Sequence, residues 1–375
     1  MFRIDTHIPY GNACDILVGH EGNTPIVSFA ADPHGGPECL WFCFSLQRDD
    51  PDSHALGKVK LVFKHFRNVL GGETPEKLRP VIRRAGGDWA RMDRGTTETL
   101  PDGQYQGVWF IEPPESFVDI ALCYPYGRPE IEALLRETHG YWHADSIGVS
   151  QAARPLIRLS NGYAQRGDDR PGLYLIARQH SGETPGSWVL DGFLRHIATL
   201  GKDAPLVWAA PLANIDGVEQ GDYGKDNFPY DVNRGWGAVP MRHENLVIER
   251  DMGEWAQRCR PAIGIDFHAP GACEMDGIYA FAAVADQLRR KTTQPWADAI
   301  AKELGKEYVS EPFLRVPGYR SRWETPRFDG HCFDQIGMAG LSVETPYSMI
   351  GEVVLTRERY QEAGARMAAA VARMV

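Results

Sequence analysis

Two textures of apolar spacing divide the chain. From residue 1 to about 123, short runs rich in β-branched and aromatic residues succeed one another: TPIVSFAAD, CLWFCFSL, GKVKLVFKHF, YQGVWFI and SFVDIALC. Between them lie turn clusters such as HGGP, LGGETP, AGGD, LPDG and EPPE. Apolar runs of this length bounded by Gly and Pro predict strands, and no helical periodicity intervenes. The pattern predicts an all-β sandwich domain over residues 1–123.

After CYPYGRPEIEALLRET the texture changes. The runs LYLIA (173–177), PLVWAA (205–210), AIGIDF (262–267) and GLSVE (340–344) are apolar at successive positions, as strands covered on both faces are. Helical patterns separate them. One begins near Thr184, a capping residue followed by Pro185, and carries an apolar stripe through Trp188, Val189, Leu190, Phe193, Leu194 and Ile197. Others run through NLVIERDMGEWAQRC, WADAIAKELG and RERYQEAGARMAAAVARMV. The alternation predicts an α/β domain over residues 124–375, a mixed sheet flanked by helices.

Composition narrows the function classes without choosing one. With 375 residues, 43% hydrophobic and 24% charged, the chain reads as an ordinary globular protein of two unequal domains. A formal net charge of −10 argues against nucleic acid or an anionic membrane as partner. The start, MFRIDTHIPYGNACDILVG, has no apolar core of signal-peptide length and no later stretch matches a membrane span, which points to the cytoplasm. Seven cysteines without a C-x-x-C pair signal neither a disulfide framework nor a zinc ribbon, and CLWFC reads as one apolar strand.

Ligands gather at the carboxyl ends of strands in open α/β sheets, so the residues just past each run carry the most weight. LYLIARQ leads to His180 and Glu183, PLVWAAPL to Asn214 and Asp216, AIGIDF to His268, and GLSV to Glu344. His180, Glu183 and His268 supply two imidazoles and a carboxylate, the three-ligand set that leaves one zinc position open. Glu344 is the free carboxylate best placed to act as general base. Asn233 and Arg234 lie adjacent in the loop GVEQGDYGKDNFPYDVNRGW, where the guanidinium either clamps a carboxylate or pairs with Asp231 or Asp226. Asp266 shares a strand face with His268, as a partner for its ring or a buried acid of its own. His139, His143 and His331 are not expected to ligate.

In this order, H-x-x-E, an Asn-Arg pair, a single His and a late Glu, the motifs resemble the zinc metallocarboxypeptidases. The resemblance is closest to the cytosolic carboxypeptidase branch, through segments similar to CYPYGRPEIEALL, NIDGVEQGDY, DVNRGW and DFHAPG. It implies a carboxypeptidase-like catalytic domain preceded by a β-sandwich and one Zn2+ per chain on His180, Glu183 and His268. It implies Glu344 as general base, Asn233 and Arg234 as holders of the substrate's terminal carboxylate, and a peptide or protein C-terminus as substrate. Where the branch carries an arginine after the Tyr of its G-x-Y segment, this chain has Gly224, then Lys225. That lysine, or an arginine from elsewhere, is left to stabilise the oxyanion. Tyr319 is the candidate for the tyrosine that covers bound substrate. Arg315, Arg320, Arg322 and Arg327 hint at an acidic C-terminal residue. Two rivals share the motifs: an aspartoacylase-like zinc amidohydrolase of small N-acyl amino acids, and a non-catalytic binding module whose β domain recruits a partner.

Overall fold

In the computed structural model, residues 2–48, 57–227, 229–237, 239–282, 287–317 and 325–375 are described. The first ten strands are β1 (Phe2–Asp5), β2 (Cys14–Glu21), β3 (Thr24–Ala30), β4 (Cys43–Arg48), β5 (Val59–Phe63), β6 (Val81–Arg84), β7 (Ala90–Arg91), β8 (Thr96–Thr99), β9 (Tyr105–Ile111) and β10 (Phe117–Ala121). They form two five-stranded sheets, ordered β1-β4-β10-β6-β7 and β2-β3-β5-β9-β8. The sheets meet through aromatic rings: Phe29 on β3 lies 4.6 Å from Phe44 on β4, and Phe63 on β5 lies 4.8 Å from Phe42, centroid to centroid. Such tilted pairs add to simple burial of apolar area. CLWFC is not one strand: Cys39 makes an isolated bridge to Val69, and the ladder begins only at Cys43.

Helix α1 (Arg128–Glu137) opens the second half, followed by β11 (His143–Val149), β12 (Pro155–Ser160), β13 (Pro171–Ala177), α2 (Thr184–Leu200), β14 (Leu206–Ala210), α3 (Ile215–Gln220), α4 (His243–Ala256) and β15 (Arg260–His268). The chain continues through β16 (Ile278–Phe281), α5 (Gln287–Leu304), β17 (Val309–Arg315), α6 (Phe328–His331), β18 (Ala339–Glu344), the two-residue strands β19 (Met349–Ile350) and β20 (Val353–Val354), and α7 (Arg357–Ala372). Eight strands make one mixed sheet, β11-β12-β14-β13-β15-β18-β16-β17. Its centre, β14-β13-β15-β18, is parallel, so four carboxyl ends reach one rim. All four predicted runs are these strands.

Period-two alternation explains how a continuously apolar strand serves two layers. On β13, Leu173, Leu175 and Ala177 join the cluster that includes Phe193 and Ile197 of α2 and Met367 of α7. Tyr174 and Ile176 point the other way, into a cluster with Trp208, Ile248 and Trp255. The first cluster also holds Phe29, Phe42 and Phe63, so the N-terminal sheets and the α/β layer share one apolar core. At the chain's crossing between them, Leu122, Cys123, Tyr124 and Tyr126 are buried. No solvated linker separates the two halves there.

Helices α2 and α7 pack closely because each offers a glycine at the crossing. A Cβ on Gly364 would fall 1.9 Å from the Val189 carbonyl oxygen, and one on Gly192 would fall 2.0 Å from that of Gln361. These neighbours are backbone atoms that cannot swing aside. Replacing Gly364 with Ala is expected to force the helices apart and cost on the order of 1–3 kcal/mol, read as a lower midpoint in chemical denaturation. A midpoint equal to that of the unmodified protein would contradict this packing.

Candidate active site

The bend after β13 is built by the sequence ARQHSGET. Arg178 takes a left-handed conformation (φ 61°), and its buried guanidinium donates to the carbonyls of Ser181 and Tyr126, both at 2.6 Å. Gly182 N–H donates to the Tyr223 carbonyl at 2.9 Å, tying the bend to the loop beyond α3. Helix α2 begins at Thr184 with Pro185 in its first turn, and Glu183 rather than Thr184 occupies the capping position. His180 and Glu183 are thereby fixed at the end of the central strand.

His180, Glu183 and His268 come together in the buried interior, each offering one ligand atom, with all three atoms within 4.8 Å of one another. Nδ1 of His180 lies 2.9 Å from Glu183 Oε1, and Nδ1 of His268 lies 2.6 Å from Oε2. The outer nitrogens are also engaged. Asp231 Oδ1 stands 3.3 Å from Nε2 of His180, and Asp266 Oδ2 hydrogen-bonds Nε2 of His268. Carboxylates behind the rings fix their tautomer and turn both Nδ1 atoms toward a common point, the arrangement that metal-binding histidines use. Asp266 also accepts from Gln179, which in turn accepts from Trp236, and Tyr223 donates to Glu183 at 3.3 Å.

Charge within the cluster is unbalanced. Burial would lower the pKa of His180, but Glu183 and Asp231 more than offset it and raise it to about 9. His268 rises well above its usual value against the same burial, under Asp266 and Glu183. Glu183 is held far below the carboxylate range, its burial outweighed by the two imidazoles. Both rings are thus drawn toward the cationic form because the carboxylates lack positive charge. A divalent cation at the converging Nδ1 and carboxylate atoms fits that donor set.

Glu344 ends β18 directly beside His268 in the parallel register. Part of the residue is open to solvent, while its Oε2 is buried with no hydrogen-bond partner. Burial, with Glu183 adding to it, raises its pKa to about 7 against the opposing pull of His268 and Lys225. Arg234 is buried, its Nη1 donates to the Asn233 carbonyl at 3.0 Å, and its Nε has no partner. Among the described residues Arg234 forms no ion pair, so neither Asp231 nor Asp226 takes it; Asp231 instead accepts from the N–H of Asn233 at 2.7 Å and of Asp226 at 3.1 Å. The Asn233 amide is occupied: Nδ2 lies 3.0 Å from His268 Nε2, and Oδ1 accepts the Phe328 N–H at 3.2 Å. Tyr319, Arg320 and Arg322 lie outside the described residues. Arg315 stacks over Tyr279 at 3.8 Å, and Arg327 pairs with Asp329 at 3.1 Å.

The N-terminal sheets reach this rim, an approach that no local sequence pattern signals. Glu38 stands 3.7 Å from the Lys225 ammonium, and Trp41 packs against the bend at Gly182. Gly224 itself is shaped by its surroundings: its φ is +82°, and a Cβ there would meet Ser181 Oγ at 2.2 Å and Ser181 N at 2.7 Å.

Known proteins are similar to the chain in sequence and in fold. No protein-family model matches the chain. Cytosolic carboxypeptidase 6 of Caenorhabditis elegans is 24% identical over 301 residues, 72% of this chain and 63% of that protein. The human protein of that name is 29% identical over 146 residues, 35% of this chain and 29% of its own length. Thus the chain spans less than two thirds of the curated relatives it matches. A metallo-carboxypeptidase from Burkholderia cenocepacia superposes with a TM-score of 0.77 at 18% identity, covering 99% of this chain and 97% of that one. A metallo-carboxypeptidase from Pseudomonas aeruginosa gives 0.74 at 15%, covering 99% and 98%. The chain is thus similar in sequence to cytosolic carboxypeptidases and in fold to metallo-carboxypeptidases. Its carboxypeptidase-like fold combines a mixed sheet and flanking helices, and the neighbours' coverage includes the N-terminal sheets as well.

Restoring the branch's arginine at position 224 is expected to harm the protein. The left-handed backbone costs about 1–2 kcal/mol for a side-chain-bearing residue, and the clash with Ser181 adds to it. Gly224→Arg should lower the thermal midpoint by several degrees. An unchanged midpoint would mean that the loop has room to rearrange.

Proposed function

We propose that this protein is a zinc-dependent carboxypeptidase that removes a C-terminal amino acid from peptides or protein tails. One observation carries the reading: a buried, cation-deficient His180–Glu183–His268 set stands beside Glu344, whose buried Oε2 has no hydrogen-bond partner, and Arg234 is buried with its Nε unpaired. The names of the relatives support the reaction class and cytoplasmic residence. In this reading residues 1–123 form an all-β sandwich domain and 124–375 the catalytic domain.

His180, Glu183 and His268 would hold one Zn2+, which supplies a Lewis acid for the scissile carbonyl and lowers the pKa of a nearby water. Glu344 takes the proton of the attacking water and returns it to the leaving amine. A raised pKa suits both transfers, because the group must gain and lose a proton near neutrality. Arg234 holds the terminal carboxylate of the substrate with the guanidinium nitrogens that the protein leaves unpaired. Asn233, assigned to the same clamp from sequence, supports it through the backbone carbonyl that orients Arg234. Lys225 supplies positive charge near Glu344, in place of the arginine that Gly224 excludes. Tyr319 stays a proposal as the covering tyrosine, and a preference for acidic C-terminal residues rests on the arginines of residues 315–327.

A peptide panel tests the reading against its rivals. Peptides with free C-termini are expected to be cleaved by the zinc-loaded protein, and C-terminally amidated peptides and N-acyl amino acids are not. Equal cleavage of the amidated peptides would sink the carboxylate clamp, while selective turnover of N-acyl amino acids would favour the amidohydrolase.

Replacing Glu344 with Gln is expected to lower kcat by about 10²–10⁴-fold with zinc still bound at one per chain. The pH profile depends on the same group. A base must be ionised, so activity falls as pH drops through its pKa. That value is about 7 without the metal, and a neighbouring divalent cation only lowers it, so the acid limb should have its midpoint at or below about 7. An acid limb centred well above 7, or one unchanged in Glu344→Gln, would assign the base elsewhere.

A further inference from the structure

The aim of Glu344 is set by main chain rather than by a side-chain partner, since its buried Oε2 accepts no hydrogen bond. Upstream, the β15–β18 ladder fixes it beside His268. Immediately downstream, the Thr345 N–H donates to the His268 carbonyl at 3.1 Å, and the chain then leaves the sheet as the segment TPYSMIGEVVL. The groups that hold that segment decide how firmly the carboxylate is presented.

Much of the grip comes from the N-terminal sheets. Arg91, on the two-residue strand β7, sends Nη2 to the Tyr347 carbonyl at 2.5 Å and Nε to the Leu355 carbonyl at 2.8 Å, clasping both ends of the turn. The same guanidinium donates to the Arg79 carbonyl at 2.7 Å, the Tyr360 hydroxyl at 2.8 Å and Cys123 Sγ at 3.2 Å, and it lies over the Tyr124 ring at 4.7 Å. Arg79 N–H donates to Ser348 Oγ at 3.0 Å, one residue beyond the clasped carbonyl. Among the described residues Arg91 forms no ion pair. A guanidinium spent entirely on carbonyls, a phenol, a thiol and a ring is acting as a rigid fork, not as a counter-charge. Lysine, with one nitrogen, cannot span the same acceptors.

We infer that Arg91 is a positioning residue for the general base: the N-terminal sheets hold the segment after Glu344 and so keep its carboxylate aimed at the site. The inference rests on the reading of Glu344 as the base. It makes the N-terminal sheets a working part of the active site instead of an appended recruiting module.

The test compares Arg91→Met and Arg91→Lys with Leu46→Ala, a cavity in the core of the same sheets, in the full zinc-loaded chain. Each is assayed well below its own thermal midpoint, with kcat expressed per bound zinc. Arg91→Met is expected to lower kcat about tenfold or more while KM stays within about twofold, since a displaced base weakens the transition state and not substrate binding. Arg91→Lys should recover part of that loss, and Leu46→Ala should lower the midpoint with kcat unchanged. Should Arg91→Met yield no folded protein, Arg91→Lys carries the test, with a kcat below that of the unmodified chain expected. An unaltered kcat in the Arg91 variants, or a kcat loss in Leu46→Ala equal to theirs, overturns the inference. Full hydrolysis by Glu344→Gln overturns both it and the base reading, whereas loss in Glu344→Gln with normal Arg91 variants overturns the inference alone.

Discussion

One carboxylate shared by two buried imidazoles constrains the whole α/β layer. Glu183 approaches His180 and His268 at 2.9 and 2.6 Å, and those residues belong to the ends of two different strands. Bringing them together requires β13 and β15 to be parallel neighbours in the register that sets Ala177 opposite Phe267. It also requires the bend after β13 to curl back over the sheet, which the left-handed Arg178 and the capping position of Glu183 accomplish. The parallel register of β15 with β18 then delivers Glu344 beside His268. A buried cluster with more carboxylates than cations is costly alone, and a positive charge at the converging ligand atoms would offset that cost.

The surroundings divide the work between the two halves of the chain. The α/β layer carries His180, Glu183, His268 and Glu344, while Arg91, Trp41 and Glu38 from the N-terminal half contact the segments beside them. This explains why the crossing at residues 122–126 is buried. A solvated linker would let the sheets move relative to the rim and transmit that movement to the turn after Glu344.

Much of this is legible in the sequence because it is local. The four central strands are unbroken apolar runs; the bend with His180 and Glu183 follows one of them, and Glu344 ends another. Less visible are β11, β12, β16 and β17. β11 is largely solvent-facing and lacks an apolar run, and β17 carries Pro312, which an edge strand tolerates and a sequence pattern counts as a break. The sequence alone offers Asp231 as an ion partner for Arg234, whereas it caps the Asn-Arg turn and reaches His180. An Asp two residues before a tight turn is the signal that identifies such a cap. Nothing local reveals Arg91 or Glu38, whose partners Tyr347, Leu355 and Lys225 lie far along the chain.

Gly224 shows how a departure from a family pattern acquires meaning from space. Read as a missing arginine, it suggests a lost cation and a lost reaction. In the structure the position is closed to any side chain, by its left-handed backbone and by Ser181 directly against it. The loop is therefore built around glycine rather than depleted of arginine. Lys225, the next residue, lies near enough to oppose the raised pKa of Glu344 and is held by Glu38. An ammonium on a flexible stem offers a point charge where a guanidinium offers a planar fork. Stabilisation of developing negative charge at this rim would then depend on placing that charge, and the carboxylate that places it comes from the N-terminal half.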